Sequence, residues 1–216
     1  MAQTWPEEFN LDPVSNLWRL RREASELVIT VSPASVITDL LIDYANRLGI
    51  TRAKVIDSED IIVKDEVVFK GCAGCPEYGH NLMCPPAVPP PENFRKVLSQ
   101  YRRGVILQLL FPLAGYEQVD HEKAYAASRQ LHLIIYDLEK RAVGMGCQRA
   151  LGLIAGCCRL CGVCPGRGGR CRKPEKARSS MEANGISVVE TCSRVGWLLE
   201  FPVKEKVCWT GLVLLD

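Results

Sequence analysis

Two short, cysteine-rich stretches constrain this chain more than any other feature of its sequence. The first, GCAGCPEYGHNLMCPP (71–86), contains three cysteines and three prolines. The second, GCCRLCGVCPGRGGRCRKP (156–174), contains five cysteines. A CxxC spacing turns two sulfur atoms toward the same side of a tight loop, where they can share one metal or cluster. Both stretches therefore indicate metal-binding loops on a larger folded domain.

Composition supports metal binding over disulfide formation. The chain has 11 cysteines in 216 residues, an odd number, while its apolar fraction of 47% and charged fraction of 24% are ordinary for a globular protein. The N-terminus lacks the apolar segment of a secretory signal, and no apolar run approaches about 18 residues. We therefore expect a cytoplasmic protein whose thiols stay reduced. The net charge of +2 favours neither nucleic acid nor a membrane as its partner.

The alternation of helical and strand patterns predicts an α/β fold, with α+β as the alternative. We expect a mixed β-sheet covered by helices, with the two cysteine-rich loops at strand ends. Residues 1–30 are predicted to be an N-terminal extension, and 31–216 a single iron–sulfur or other metal-binding domain. Helices are predicted at 33–48, 92–101, 120–143, 174–185 and 191–201, and strands within 53–69 and at 104–111, 150–156, 186–190 and 206–215.

The second loop has the cysteine pattern of an iron–sulfur site. Cys158, Cys161 and Cys164 form a CxxCxxC run, and Cys171 follows after six residues. Such a run suits a cube-shaped [4Fe-4S] cluster, because the corners of a cube must be reached from several directions. Bacterial ferredoxins use a similar run, although only three residues precede their last cysteine. Zinc, which more often uses two separated CxxC pairs, is the alternative metal.

The first loop supplies only three thiols, those of Cys72, Cys75 and Cys84. A cluster bound there needs a fourth ligand. One possibility is a remote cysteine, with Cys157 and Cys147 as the candidates, because ferredoxins also cross their ligands between clusters. The other possibility is an open position filled by water, a small ligand or a substrate, which is typical of a catalytic metal site.

The remaining candidate residues have simpler interpretations. Cys192 and Cys208 are predicted to be small buried hydrophobic residues. His121 and His132 are predicted to lie at the surface or edge of the long helix. The stretch 167–178 contains six basic residues and one acidic residue. It is either a solvated loop that offsets the charge of the thiolates, or a docking site for an acidic redox partner.

Three sequence blocks resemble a known family. In order, CAGCPEYGHNLMCPP, CRLCGVCPGRGGRCRKPEKARSSMEANGISV and GWLLEF are similar to the predicted metal-binding proteins of unknown function found mainly in anaerobic bacteria and archaea. The resemblance covers about residues 35–205 and supplies no reaction. It implies that the metal-ligating positions are Cys72, Cys75, Cys84, Cys158, Cys161, Cys164 and Cys171.

These observations leave three functions open. The leading prediction is an iron–sulfur protein with two [4Fe-4S] clusters that transfers electrons to or from a partner enzyme. The second is an enzyme whose open-coordination cluster binds a small substrate for desulfuration, dehydration or reductive cleavage. The third is a zinc-stabilised binding module. Because the sequence shows no nucleotide-binding, flavin or catalytic-triad motif, it does not decide whether the protein is an enzyme.

Overall fold

A four-stranded antiparallel sheet lies at the centre of the fold. The structure is a computed structural model that describes residues 33–112, 121–199, 203 and 206–216. The predicted extension over 1–30 lies outside these residues, so its boundary stays a prediction. Residues Val36–Asp216 form one compact unit. The strands are β1 (Arg52–Asp57), β2 (Arg103–Pro112), β3 (Ala150–Leu153) and β4 (Lys206–Leu215), in the order β1-β2-β4-β3.

Helices accompany the sheet, so the predicted combination of helices and strands is confirmed. The four described helices are α1 (Pro33–Arg47), α2 (Pro91–Leu98), α3 (His121–Gly144) and α4 (Val188–Arg194). Short 3-10 turns cover Ser58–Asp60 and Glu182–Asn184, and a wider π-type turn covers Val67–Cys72. None of the described helices is long and apolar enough to cross a membrane.

Strand pairing differs from the expected mixed sheet, because all three pairings of the described sheet are antiparallel. β2 and β3 are joined through α3 and run parallel to each other, as an alternating pattern of strands and helices predicts. They are not neighbours, however. β4 lies between them and is antiparallel to both, which makes the unit a split βαβ arrangement.

The sheet is buried on both faces, and this explains the long apolar runs of β2 and β4. On one face, α1 and α3 pack against Leu107 and Val213. On the other face, Ile106 and Leu212 pack against Met181 and the buried side of α4. The inward stripe predicted for α3 is confirmed, since all six of its residues are buried: Ala124, Ala127, Leu131, Ile134, Leu138 and Ala142.

Three secondary-structure predictions are wrong. Of the strands predicted within 53–69 only β1 forms, and Val67–Cys72 is the π-type turn instead. The other two lie near the second cysteine-rich loop. The helix predicted at 174–185 is a loop with one 3-10 turn, because its backbone pairs with the end of β3. The Ile154 N–H donates to Ser179 O (3.0 Å), and the Met181 N–H donates to Ile154 O (3.0 Å). Within the strand predicted at 186–190, only Ile186 pairs, in an isolated bridge with Val63, and the residues from Val188 onward form the start of α4. β-branched residues favoured a strand there, but tertiary contacts override that preference.

Gly104 marks a close approach between β2 and β4. A Cβ at this position would lie 2.8 Å from the backbone oxygen of Val213 and 3.0 Å from a methyl group of Leu212. We therefore expect Gly104→Ala to lower the free energy of unfolding by about 1–3 kcal/mol through overpacking. Denaturant unfolding followed by circular dichroism measures the loss. Gly144→Ala is the control, since nothing lies within 4 Å of its Cβ position; equal midpoints for both variants would contradict the prediction.

Candidate metal centre

The two cysteine-rich loops approach the site from different parts of the fold. The second loop follows β3, as predicted, whereas the first leaves the π-type turn over Val67–Cys72. They meet where Gly166 passes His80: a Cβ on Gly166 would lie 3.1 Å from the His80 carbonyl oxygen, and its φ of 67° favours glycine. The sequence motifs are therefore neighbours in space, although about seventy residues separate them.

Asn81 joins the two loops through its side chain. The side chain is buried, and its Nδ2 donates to Cys158 O (3.0 Å) and to Glu77 Oε2 (3.2 Å). Its Oδ1 accepts from the Met83 N–H (3.1 Å). The bond to Cys158 fixes the first loop against the cysteine that begins the CxxCxxC run, and the other two bonds hold Asn81 within its own loop. No sequence pattern points to Asn81, because nothing in the sequence marks a loop asparagine as buried.

The first set of thiols consists of Cys72, Cys75, Cys84 and Cys157. Cys84 and Cys157 are both buried. Burial is the main cause of a strongly raised pKa for the Cys84 thiol, and the charges of Cys157, Cys75 and Cys72 raise it further. Burial also raises the pKa of Cys157 to about 11, and the charge of Cys75 adds to this effect. The Cys157 thiol is therefore close enough to the first loop to interact electrostatically with Cys75 and Cys84.

Cys147, the other predicted candidate for this position, lies elsewhere. It follows α3, and its N–H donates to Ala142 O (3.1 Å). Its side chain packs against the core formed by α1, α3 and the sheet. Burial raises the pKa of the Cys147 thiol, and the charged group that raises it further is Asp216. Of the two candidates, the structure brings only Cys157 to the first set.

The second set of thiols consists of Cys158, Cys161, Cys164 and Cys171, which line one small cavity of about 20 Å³. Burial raises the pKa of the Cys158 thiol, and the charges of the other three raise it further. The first loop also contributes here, because the Leu82 N–H donates to the Cys164 sulfur (3.5 Å). Cys158, Cys161 and Cys164 also line a wider groove of about 750 Å³.

Cys157 and Cys158 connect the two sets. They are adjacent in sequence, yet Cys157 interacts with the thiols of the first loop and Cys158 with those of the second. Eight of the 11 cysteines therefore form two groups of four that share a two-residue stretch of backbone. Within the part of the chain that the structure describes, no three His, Cys, Asp or Glu side chains are gathered around a single ion-sized point.

Charged and polar groups surround the first set. The Cys72 thiol donates to the backbone oxygen of Glu182 (3.9 Å), and burial raises the pKa of Cys72 to about 11. The charge of Arg159 lowers the pKa of Cys157, against the larger effect of burial, and Arg159 also lies 4.0 Å from the carboxylate of Glu77. Buried thiols of this kind become thiolates when a metal cation compensates their charge. Sulfur donors are the ligand type of zinc and of iron–sulfur clusters, so the chemistry of the donor sets suits a metal, although the described thiols are not gathered around one ion-sized point.

The histidine prediction is wrong for His132. This side chain is 1% exposed, and its Nε2 lies 2.9 Å from Lys176 O, which ties α3 to the segment after the second set. Burial lowers the pKa of His132. No side-chain placement is described for His121. Cys192 is fully buried, as predicted, whereas Cys208 is only half-buried and lines a cavity.

Part of the basic stretch 167–178 has a structural role. Arg178 makes two hydrogen bonds to the carboxylate of Glu139 on α3, and Lys173 Nζ donates to Leu160 O (2.8 Å). Arg167, Arg170 and Arg172 are exposed. Arg167 also lines the wider groove beside the second set. The basic surface is therefore smaller than the sequence suggested, and it lies next to cysteines.

The fold and the two thiol groups define a cysteine-rich protein built to bind metal. The family model described as "Predicted metal-binding protein (DUF2284)" matches residues 54–215, which is most of the chain. The chain belongs to this family, and the resemblance predicted from its three sequence blocks is confirmed. No curated protein and no solved structure matches it.

Proposed function

We propose that this protein holds two [4Fe-4S] clusters and passes single electrons to or from a partner enzyme. The observation that carries the proposal is the grouping of eight thiols into two sets of four. Cys72, Cys75, Cys84 and Cys157 would ligate the first cluster, and Cys158, Cys161, Cys164 and Cys171 the second. A bound cluster of this type supplies reversible one-electron chemistry.

The chain's own residues suit closed clusters, each with four protein ligands. With Cys157 beside the first loop, four protein thiols are available there, so an open coordination position is not needed. This favours electron transfer over the alternative of an open-site enzyme. The N–H of Leu82, directed at the Cys164 sulfur, is the kind of donor that stabilises a thiolate ligand. The Asn81 side chain hydrogen-bonds to the backbone of both loops and so fixes their relative position.

A partner would dock beside the second set. The groove of about 750 Å³ is lined by Cys158, Cys161 and Cys164, and Val163 at its rim is 77% exposed. Arg167 lines the same groove, with Arg170 and Arg172 exposed nearby in the sequence. A cationic rim around an exposed apolar residue is complementary to an acidic redox protein, and such charges mainly increase association rates.

Metal analysis tests the proposal. Protein purified without oxygen is expected to be brown and to contain about eight irons and about eight sulfides per chain, as two cubes require. Its reduced form is expected to give the electron paramagnetic resonance (EPR) signals of two clusters. About four irons in folded protein would contradict two clusters. A colourless protein with stoichiometric zinc would instead support the zinc-stabilised binding module.

A further inference from the structure

A cavity of about 620 Å³ lies next to the first set of thiols, and none of these four thiols lines it. Three wall residues connect it to that set. Val67 begins the turn that ends at Cys72, Gly156 immediately precedes Cys157, and Glu182 accepts from the Cys72 thiol through its backbone oxygen. The volume is within the range of small-molecule sites, about 300–1,000 Å³. A molecule bound in the cavity would therefore lie beside the first set.

Apolar side chains form most of the described wall. Val188 and Leu199 line it on the side of α4, and Val207 and Trp209 line it on β4. Leu198, which is 82% exposed, also lines it, so a large apolar side chain meets solvent where the cavity is open. An apolar wall with few polar groups is the usual composition of a site for a small organic molecule.

Two polar atoms of the described wall residues lack a partner, Glu182 Oε2, an acceptor, and Trp209 Nε1, a donor. The Glu182 Oε2 is shielded from solvent and has no hydrogen-bond partner, while the side chain lines the cavity. A shielded carboxyl oxygen without a partner is costly. A ligand that donates a hydrogen bond to this oxygen removes the cost. The end of the cavity near the first set therefore favours a hydroxyl or N–H group.

Two cationic side chains also line the cavity. They belong to Arg52 and Lys206, and the Arg52 guanidinium is held by Gln108 Oε1 (2.8 Å) and by the ring of Trp197 (4.6 Å to its centroid). A ligand with a negative group can therefore pair with them.

We infer that this cavity binds a small organic anion with an apolar body. Its negative group would pair with Arg52 and Lys206, and its other end would donate a hydrogen bond to Glu182 beside the first cluster. The inference rests on the proposed function only for the presence of that cluster. The cavity and its charges stand without it.

Calorimetric titration of the purified protein with 4-hydroxyphenylacetate tests the binding. This probe combines an aromatic body, a carboxylate at one end and a hydroxyl at the other. We expect one molecule to bind per chain. Phenylacetate, which lacks the hydroxyl, and 4-hydroxyphenethyl alcohol, which lacks the charge, are each expected to bind about tenfold more weakly. No binding of the probe, or equal affinity for the neutral alcohol, overturns the proposal.

A matched pair of variants locates the probe. Lys206→Gln is expected to weaken binding about tenfold. Lys96→Gln, on α2 and outside the cavity, is expected to leave binding unchanged. Arg52→Lys keeps the charge but not the planar group, and we expect partial loss. Equal binding by Lys206→Gln and the wild type overturns the assignment of the anion end.

The spectrum of the first cluster supplies a separate readout. If the probe binds beside it, saturating 4-hydroxyphenylacetate is expected to shift one of the two EPR signals and leave the other unchanged. Binding with no shift in either signal overturns the placement beside the first cluster. A protein without clusters that still binds the probe contradicts the proposed function and leaves the cavity assignment supported. Failure of the cavity assignment and failure of the proposed function therefore give different results.

Discussion

Replacing Cys157 with alanine is expected to remove one cluster and keep the other, so that iron falls from about eight to about four per chain. Cys157 is buried and interacts with the thiols of the first loop, whereas the adjacent Cys158 interacts with those of the second. Losing one of four thiolates leaves a buried corner with no protein ligand. Iron and sulfide analysis of anaerobic protein, with EPR of the reduced form, measures the loss.

Cys147→Ala and Cys192→Ala are the matched controls. Cys147 packs near Asp216, and Cys192 is fully buried among apolar residues, where it accepts a hydrogen bond from Gln108. Both variants are expected to retain about eight irons. If Cys157→Ala also keeps eight irons, and added thiol or cyanide shifts one EPR signal, the first cluster is open. The open-site enzyme then becomes the better proposal.

The sequence predicted which cysteines belong to this site better than it predicted how they are grouped. CxxC spacing identifies thiols that share a loop, because the geometry is local. It could not decide between Cys147 and Cys157, since that choice depends on how the second loop passes the first. Asn81 and Gly166 set that path through contacts between residues about eighty positions apart. The roles of these two residues depend on contacts in the folded protein, so no local sequence pattern reveals them.

The secondary structure was likewise predicted where the sequence pattern is local and missed where tertiary contacts decide. β2 and β4 were predicted well from their long apolar runs and α3 from its periodic apolar stripe, and α1 ends before Gly49, which has a φ of 91°. The segment 174–185 has the composition of a helix but forms a loop. Its backbone is needed for pairing with Ile154, and its side chains bond to α3. Apolar patterns therefore predicted the core, whereas backbone pairing with Ile154 determined the conformation of the segment that follows the second set of thiols.

The ion pair between Arg178 and Glu139 anchors that segment, and we expect its loss to cost the most stability of any single polar contact discussed. Arg178 Nε and Nη2 donate to the two carboxylate oxygens at 2.6 and 2.7 Å. The Gly152 N–H on β3 also donates to Glu139 Oε2 (2.9 Å). The two side chains are only 16% and 15% exposed. The pair therefore ties the segment after Cys171 to both α3 and β3.

Removing one member leaves the other charge mostly buried without its partner. Arg178→Met is expected to lower the free energy of unfolding by about 2–4 kcal/mol, slightly below the range for a fully buried pair. Glu139→Leu is expected to cost a similar amount, with an added loss from the Gly152 N–H. The double variant is expected to cost clearly less than the two single losses together, because it removes both charges.

Urea unfolding of anaerobic protein, followed by circular dichroism and by cluster absorbance, measures these losses. Arg178→Met is also expected to release the second cluster at lower urea than the first, because the segment it anchors carries Cys171. Lys96→Met, which breaks an exposed pair with Glu92, is the control and is expected to leave the midpoint unchanged. Additive losses in the double variant, or loss of both clusters at one urea concentration, would show that this ion pair does not hold the second loop in place.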